Sequence, residues 1–67
     1  MAVARVTEIV ASSPKGFDEA VQEGLRRASK TLRGITGLEV VSFKVKVDKG
    51  KIKEYRASMK VTFVLEE

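Results

Sequence analysis

The sequence predicts an α+β subunit, β-α-β-β, with one helix laid on a three-stranded antiparallel sheet of order 1-3-2. Three observations carry that prediction. Residues 2–11 are rich in Val and Ile, residues 17–32 place their apolar side chains at helical spacing, and from Leu38 the apolar period falls to two. A single glycine-containing turn divides this last region into a hairpin. Keeping the hairpin intact and avoiding a left-handed crossover fixes the strand order.

The first strand is AVARVTEIVA, residues 2–11, with apolar residues on both parities: Val3 and Ile9 on one, Val6 and Val10 on the other. Such a strand is covered on both faces, and one helix covers only one, so a second subunit is expected on the other. SSPKG, Ser12 to Gly16, reads as a turn that Pro14 enforces. Phe17, Ala20, Val21, Gly24, Leu25, Ala28 and Leu32 then form one stripe of a helix. Asp18 and Glu19 in its first turn and Lys30 and Arg33 in its last suit the helix dipole. Gly34 is expected as its left-handed C′ residue. Gly24 on the buried stripe costs ~1 kcal/mol against Ala, and its expected use is a close approach of helix to sheet.

From Leu38, Val41, Phe43, Val45 and Val47 alternate with Ser42, Lys44, Lys46 and Asp48. DKGK, Asp48 to Lys51, is the hairpin turn, with Gly50 supplying positive φ. The return strand sets Tyr55, Ala57, Met59, Val61, Phe63 and Leu65 against Glu54, Arg56, Ser58, Lys60, Thr62 and Glu66. Each strand therefore has one dry face and one wetter face.

A chain of 67 residues is one domain, residues 1–67, and buries only roughly 60% of its unfolded surface. Small domains add disulfides, metals or partners. There is no cysteine and no histidine, which excludes disulfides and Cys/His zinc sites and leaves oligomerisation as the main source of further burial. The lack of cysteine fits a reducing cytoplasm. No apolar run reaches membrane-spanning length and the N-terminus has no signal-peptide h-region, so no membrane partner is expected. The formal charge is +4, from 13 basic and 9 acidic residues mixed along the chain. That excess suits a soluble surface and permits phosphate or other anions.

Catalysis has poor candidates. With no His base and no Cys nucleophile, Ser12 and Ser13 are best read as turn hydrogen-bonding groups and Tyr55 as a core tyrosine. Lys44, Lys46, Arg56 and Lys60 share the polar side of the sheet, but Phe43, Tyr55 and Phe63 fall on the other parity. Without stacking aromatics, no nucleic-acid partner is expected. Lys44, Lys46 and Arg56 remain candidate contacts for an anionic small ligand. Glu8, Glu39, Asp48, Glu54 and Glu66 are carboxylates that oligomer symmetry could gather into a calcium or other hard-cation site. No particular metal ligand set is read from the sequence.

Three stretches, SSPKGFDEAVQEGLRRASKTLR, LEVV and KIKEYRASMKVTFVLEE, resemble the dodecins, small flavin-binding proteins of bacteria and archaea. The S-S-P turn, the A-x-x-x-L-R helix end and the Tyr-to-Leu-Glu final strand are the most specific parts, and the resemblance covers almost the whole chain. It implies a sheet wrapped around the helix, a hollow homododecamer with cubic symmetry, and a storage or quenching role for flavin (riboflavin or FMN) rather than an enzymatic one. It also implies that coenzyme A or calcium is a ligand in some branches. Dodecins stack flavin on a tryptophan just before the second strand and contact its polar edge with a glutamine early in the third. The family's W-[FA]-E-V-V reads Gly37-Leu38-Glu39-Val40-Val41 here, and its Y-Q pair reads Tyr55-Arg56. With Gly37 and Arg56 at those two places, flavin binding is expected to be weak or absent.

Overall fold

The structure is a computed structural model and describes residues 3–65. Strand β1 spans Ala4–Ser13, helix α1 Phe17–Thr31, strand β2 Ile35–Asp48 and strand β3 Lys51–Val64. The sheet is antiparallel throughout, with order β1-β3-β2. The predicted fold class and strand order are those observed. Several boundaries differ, each for a local reason.

Strand β1 runs two residues past the expected end, because Ser12 and Ser13 pair with Arg56 and Tyr55 before Pro14 stops the ladder. Its predicted first residue, Ala2, lies outside the described residues. Ser13 is buried, and its Oγ accepts the amide of Lys15 at 3.0 Å, a local turn bond that lets the chain leave the strand and enter the helix. Helix α1 ends at Thr31, not at Arg33: Leu32 is already extended, and its amide donates to the Ala28 carbonyl at 2.8 Å. Gly34 is therefore not the C′ residue. Its φ of +74° belongs to the turn into β2, where its carbonyl accepts the amide of Val64 at 3.0 Å.

The helix lies close to the sheet because the facing residues are small. Ala20, Gly24 and Ala28 are its buried positions, set against Ala57, Met59 and Val61 of β3 and flanked by Ile9 and Ala11 of β1. A Cβ at Gly24 would lie 2.5 Å from Met59 Cε, 3.1 Å from Ala11 Cβ and 3.4 Å from Ile9 Cδ1. The close approach expected of Gly24 is thus present, and it outweighs the helix-propensity cost.

Strand β2 contains the main departure from simple alternation. Leu38 and Val40 sit opposite Val61 and Met59, facing the helix, but Ser42 is opposite Ser58. Val41 is a bulge, the extra residue between them, and is 53% exposed. Beyond it the parity is reset, so Phe43 and Val45 face the same way as Leu38 and Val40, opposite Ala57 and Tyr55. Val41 therefore does not share their row, contrary to the simple period. Phe43 and Tyr55 close the helix end by packing on Phe17, with ring centroids 4.6 and 5.1 Å away. The hairpin turns at Lys49 and Gly50, both with positive φ (52° and 76°), the signature of a type I′ turn.

The hairpin is long, its turn end lies beyond β1, and the subunit measures 51 × 19 × 13 Å. One helix cannot cover it. Val6, Val10 and Val41 on the outer parts of the sheet, and Phe43, Val45, Val47 and Ile52 toward the hairpin end, remain exposed.

Replacing Gly24 by Leu forces a side chain into the helix–sheet contact and is expected to cost about 1–3 kcal/mol. The check is the thermal midpoint by circular dichroism, which falls for Gly24→Leu and changes much less for Leu25→Ala on the exposed side of the stripe.

Candidate functional site

Gly37 is the third residue of β2, inside the strand rather than before it, and sits opposite Thr62 after an irregularity at Thr36. Its backbone is not left-handed, and a Cβ built there would meet only Thr62 Cβ, at 4.0 Å. The position admits a side chain and has none. It borders a cleft of about 390 Å³ between α1 and the start of β2, lined by Leu25, Ser29, Ile35, Thr36 and Leu38. Ser29 is not free in that cleft, since its hydroxyl donates to the Leu25 carbonyl at 2.8 Å.

Arg56 faces the same outer side of the sheet as Thr62, six residues away along β3. At ~3.3 Å per residue that is roughly 20 Å. Gly37 and Arg56 of one chain therefore cannot touch one ligand ring; a site using both takes them from different subunits.

The register puts Lys44 directly opposite Arg56 and Lys46 opposite Glu54. Arg56 Nε donates to Glu54 Oε1 at 2.7 Å. That hydrogen bond, with the nearby charges of Arg56, Lys46 and Lys53, holds the Glu54 carboxyl below the usual carboxylate range. Arg56 is thus oriented along β3 by its own neighbour, and Lys44 and Lys46 flank the pair as separate cations. Lys60 belongs elsewhere. It lies between Glu8 and Glu39 across the three strands, with Nζ 4.0 Å from Glu8 Oε1.

Each candidate cation ligand among the described residues has a basic neighbour. Glu8 and Glu39 flank Lys60, Glu54 is paired with Arg56, and Asp48 is opposite Lys51. Among the described residues no three carboxylates of one chain converge, and Glu66 lies outside them. A hollow of about 660 Å³ beside the β1–α1 turn is lined by Ser13, Glu19, Gln22, Glu23 and Arg26 among others. Three of its polar groups are engaged locally: Ser13 with the Lys15 amide, and Glu23 with Arg26, whose guanidinium pulls the Glu23 carboxyl below its usual range. Tyr55 packs edge-on against Phe17 as a half-buried core residue. Period counting placed Phe43 on the dry face correctly but missed the bulge at Val41, which puts Leu38 and Val40 on that same face. Two adjacent valines in an otherwise alternating strand, Val40-Val41, are the signal that marks it.

The family model for dodecin matches residues 3–66. The dodecin of Thermus thermophilus is 37% identical over 65 residues, covering 97% of this chain and 94% of that protein. Among solved structures, the dodecin from Streptomyces davaonensis superposes with a TM-score of 0.94 at 41% identity, covering 98% of this chain and 97% of that one. A calcium-chelating immunodominant antigen of Mycobacterium tuberculosis, described as a calcium dodecin with a novel calcium-binding site, matches with a TM-score of 0.84. It is 31% identical, covering 96% of this chain and 91% of its own. A match of this extent in sequence and fold establishes that the chain belongs to the dodecin family.

Proposed function

We propose that this protein is a non-enzymatic binding or sequestration protein that assembles into a hollow homododecamer in the cytoplasm and holds flavin weakly or not at all. The observation that carries the flavin reading is Gly37. Where the family resemblance implies an indole, this chain has no side chain, and the position lies on the open rim of a cleft. Aromatic stacking contributes ~0.5–1.5 kcal/mol beyond the apolar area it buries, and both contributions are lost. At the glutamine position, Arg56 offers a charged donor already directed to Glu54. Lys44 beside it and Lys46 one step on make an anionic group, such as the phosphate of FMN, a better fit than a neutral flavin edge.

Assembly is supported by the thin core and by the apolar residues left exposed on both sides of the sheet. The roughly 20 Å between Gly37 and Arg56 supports a shared site formed between subunits. A second reading, a cation-binding shell, draws on the calcium dodecin relative. In this chain its ligands would come from several copies around an axis, because the acids within one copy lie beside cations.

Three measurements test these readings. Gly37→Trp combined with Arg56→Gln is expected to quench riboflavin fluorescence with an affinity at least ~10-fold above that of the unsubstituted protein. Micromolar quenching by the unsubstituted protein would overturn the flavin reading. In sedimentation velocity the protein is expected at roughly twelve times its 7.4 kDa subunit mass, and a monomer at micromolar concentration sinks the shell. For the second reading, calcium raises the thermal midpoint and a chelator reverses it; no shift at millimolar calcium removes it.

A further inference from the structure

The charge of this protein, mixed at first reading, is in fact unevenly divided along the chain. Residues 44–56 carry six of the 13 basic residues, Lys44, Lys46, Lys49, Lys51, Lys53 and Arg56, and only two of the nine acids, Asp48 and Glu54. Seven cations and seven acids remain for the rest of the chain, so the whole net +4 belongs to the turn half of the β2–β3 hairpin. Strand β1 pairs with β3 only as far as Tyr55, so beyond that point the hairpin is a free two-stranded ribbon, and every residue from 43 to 53 is exposed.

Within this ribbon, Arg56 is engaged by Glu54, while among the described residues none of the five lysines lies within 4.0 Å of a carboxylate. Neighbours on one face of a strand are ~7 Å apart, less than the Debye length of ~8–10 Å at physiological salt. Their potentials therefore add. The lysines do not converge on a pocket, so a lone phosphate engages one or two of them, whereas a chain of phosphates engages the row. The aromatics that could stack on bases are turned away: Phe43 and Tyr55 pack on Phe17 beneath the sheet. The ribbon thus offers charge and no stacking platform, which favours a phosphate chain without bases over a nucleic acid.

We propose that the turn half of the β2–β3 hairpin binds linear polyphosphate-type anions by charge alone. This surface takes in the small-anion contacts Lys44, Lys46 and Arg56, extends past them to the hairpin tip, and does not require the shell. The competing account is that the lysines only guard open strand edges against pairing with other chains.

The test is calorimetric titration of the full chain with medium-chain sodium polyphosphate, with orthophosphate at equal phosphorus, duplex DNA at equal charge, and anionic phosphatidylglycerol vesicles as separate arms. Polyphosphate is expected to bind most tightly, weakening roughly 20- to 50-fold from ~50 to ~200 mM salt for three or four neutralised phosphates. Lys49→Asn with Lys51→Gln and Lys53→Gln is expected to lose at least ~10-fold in affinity, since it removes three charges from the ribbon. Asparagine suits the positive φ at residue 49. Lys15→Gln with Lys30→Gln and Arg33→Gln, the same charge change outside the ribbon, is expected to stay within ~2-fold. The tip variant leaves Lys44, Lys46 and Arg56 in place, so it loses less affinity for FMN than for polyphosphate, which separates this surface from the small-ligand reading. Equal loss in both triple variants, no preference over orthophosphate, or equal or tighter binding of DNA or vesicles overturns the proposal.

Discussion

The packing of α1 on the sheet depends on a contact made of almost nothing. Ala20, Gly24 and Ala28 let the helix settle onto Ala11, Ala57 and Met59, with the Gly24 backbone close enough to the Met59 methyl that a Cβ would collide with it. Close packing is satisfied by removing side chains rather than by interlocking large ones. The result is a thin core, in which, among the described residues, Met59 and Val61 are the large side chains that are fully buried. A thin layer supplies limited hydrophobic stabilisation. The remaining apolar surface is left facing outward, where a neighbouring subunit is the natural source of the missing burial.

Much of the fold was legible in the sequence because period and turn chemistry report backbone geometry directly. The shift from helical to alternating spacing at Leu38, the hairpin turn around Gly50 and the small residue at 24 each have one simple structural reading, and strand order followed from connection rules. Failures arose where tertiary pairing outweighed local preference. Ser12 and Ser13 look like turn residues but are held in the ladder by Arg56 and Tyr55. Gly34 looks like a helix cap but serves the strand entry, because Leu32 has already left the helix. The Val41 bulge was invisible to a period count, since one surplus residue resets parity without breaking the apolar run. The candidate site was less legible. Gly37 and Arg56 acquired meaning only through family resemblance, and their separation along β3 could not be judged before the register was known.

Electrostatics in this chain is organised by rows across the sheet. Lys60 answers Glu8 and Glu39, Glu54 answers Arg56, and on the helix Glu23 answers Arg26 one turn away. These exposed pairs add little stability individually. Their effect is to keep most of the surface locally neutral, which leaves the excess charge confined to the projecting ribbon. A field concentrated on a narrow projection guides charged partners more effectively than the same charge spread evenly.

The ordinary backbone at Gly37 has a consequence for how such a protein changes over time. A glycine forced by positive φ, such as Gly34 or Gly50, is locked in place by the fold. Gly37 is not. Its dihedrals suit any L-residue, and the space in front of it is open. The fold therefore does not demand a glycine there. Lineages can lose a ligand wall at this position, or regain one, while the subunit folds as before.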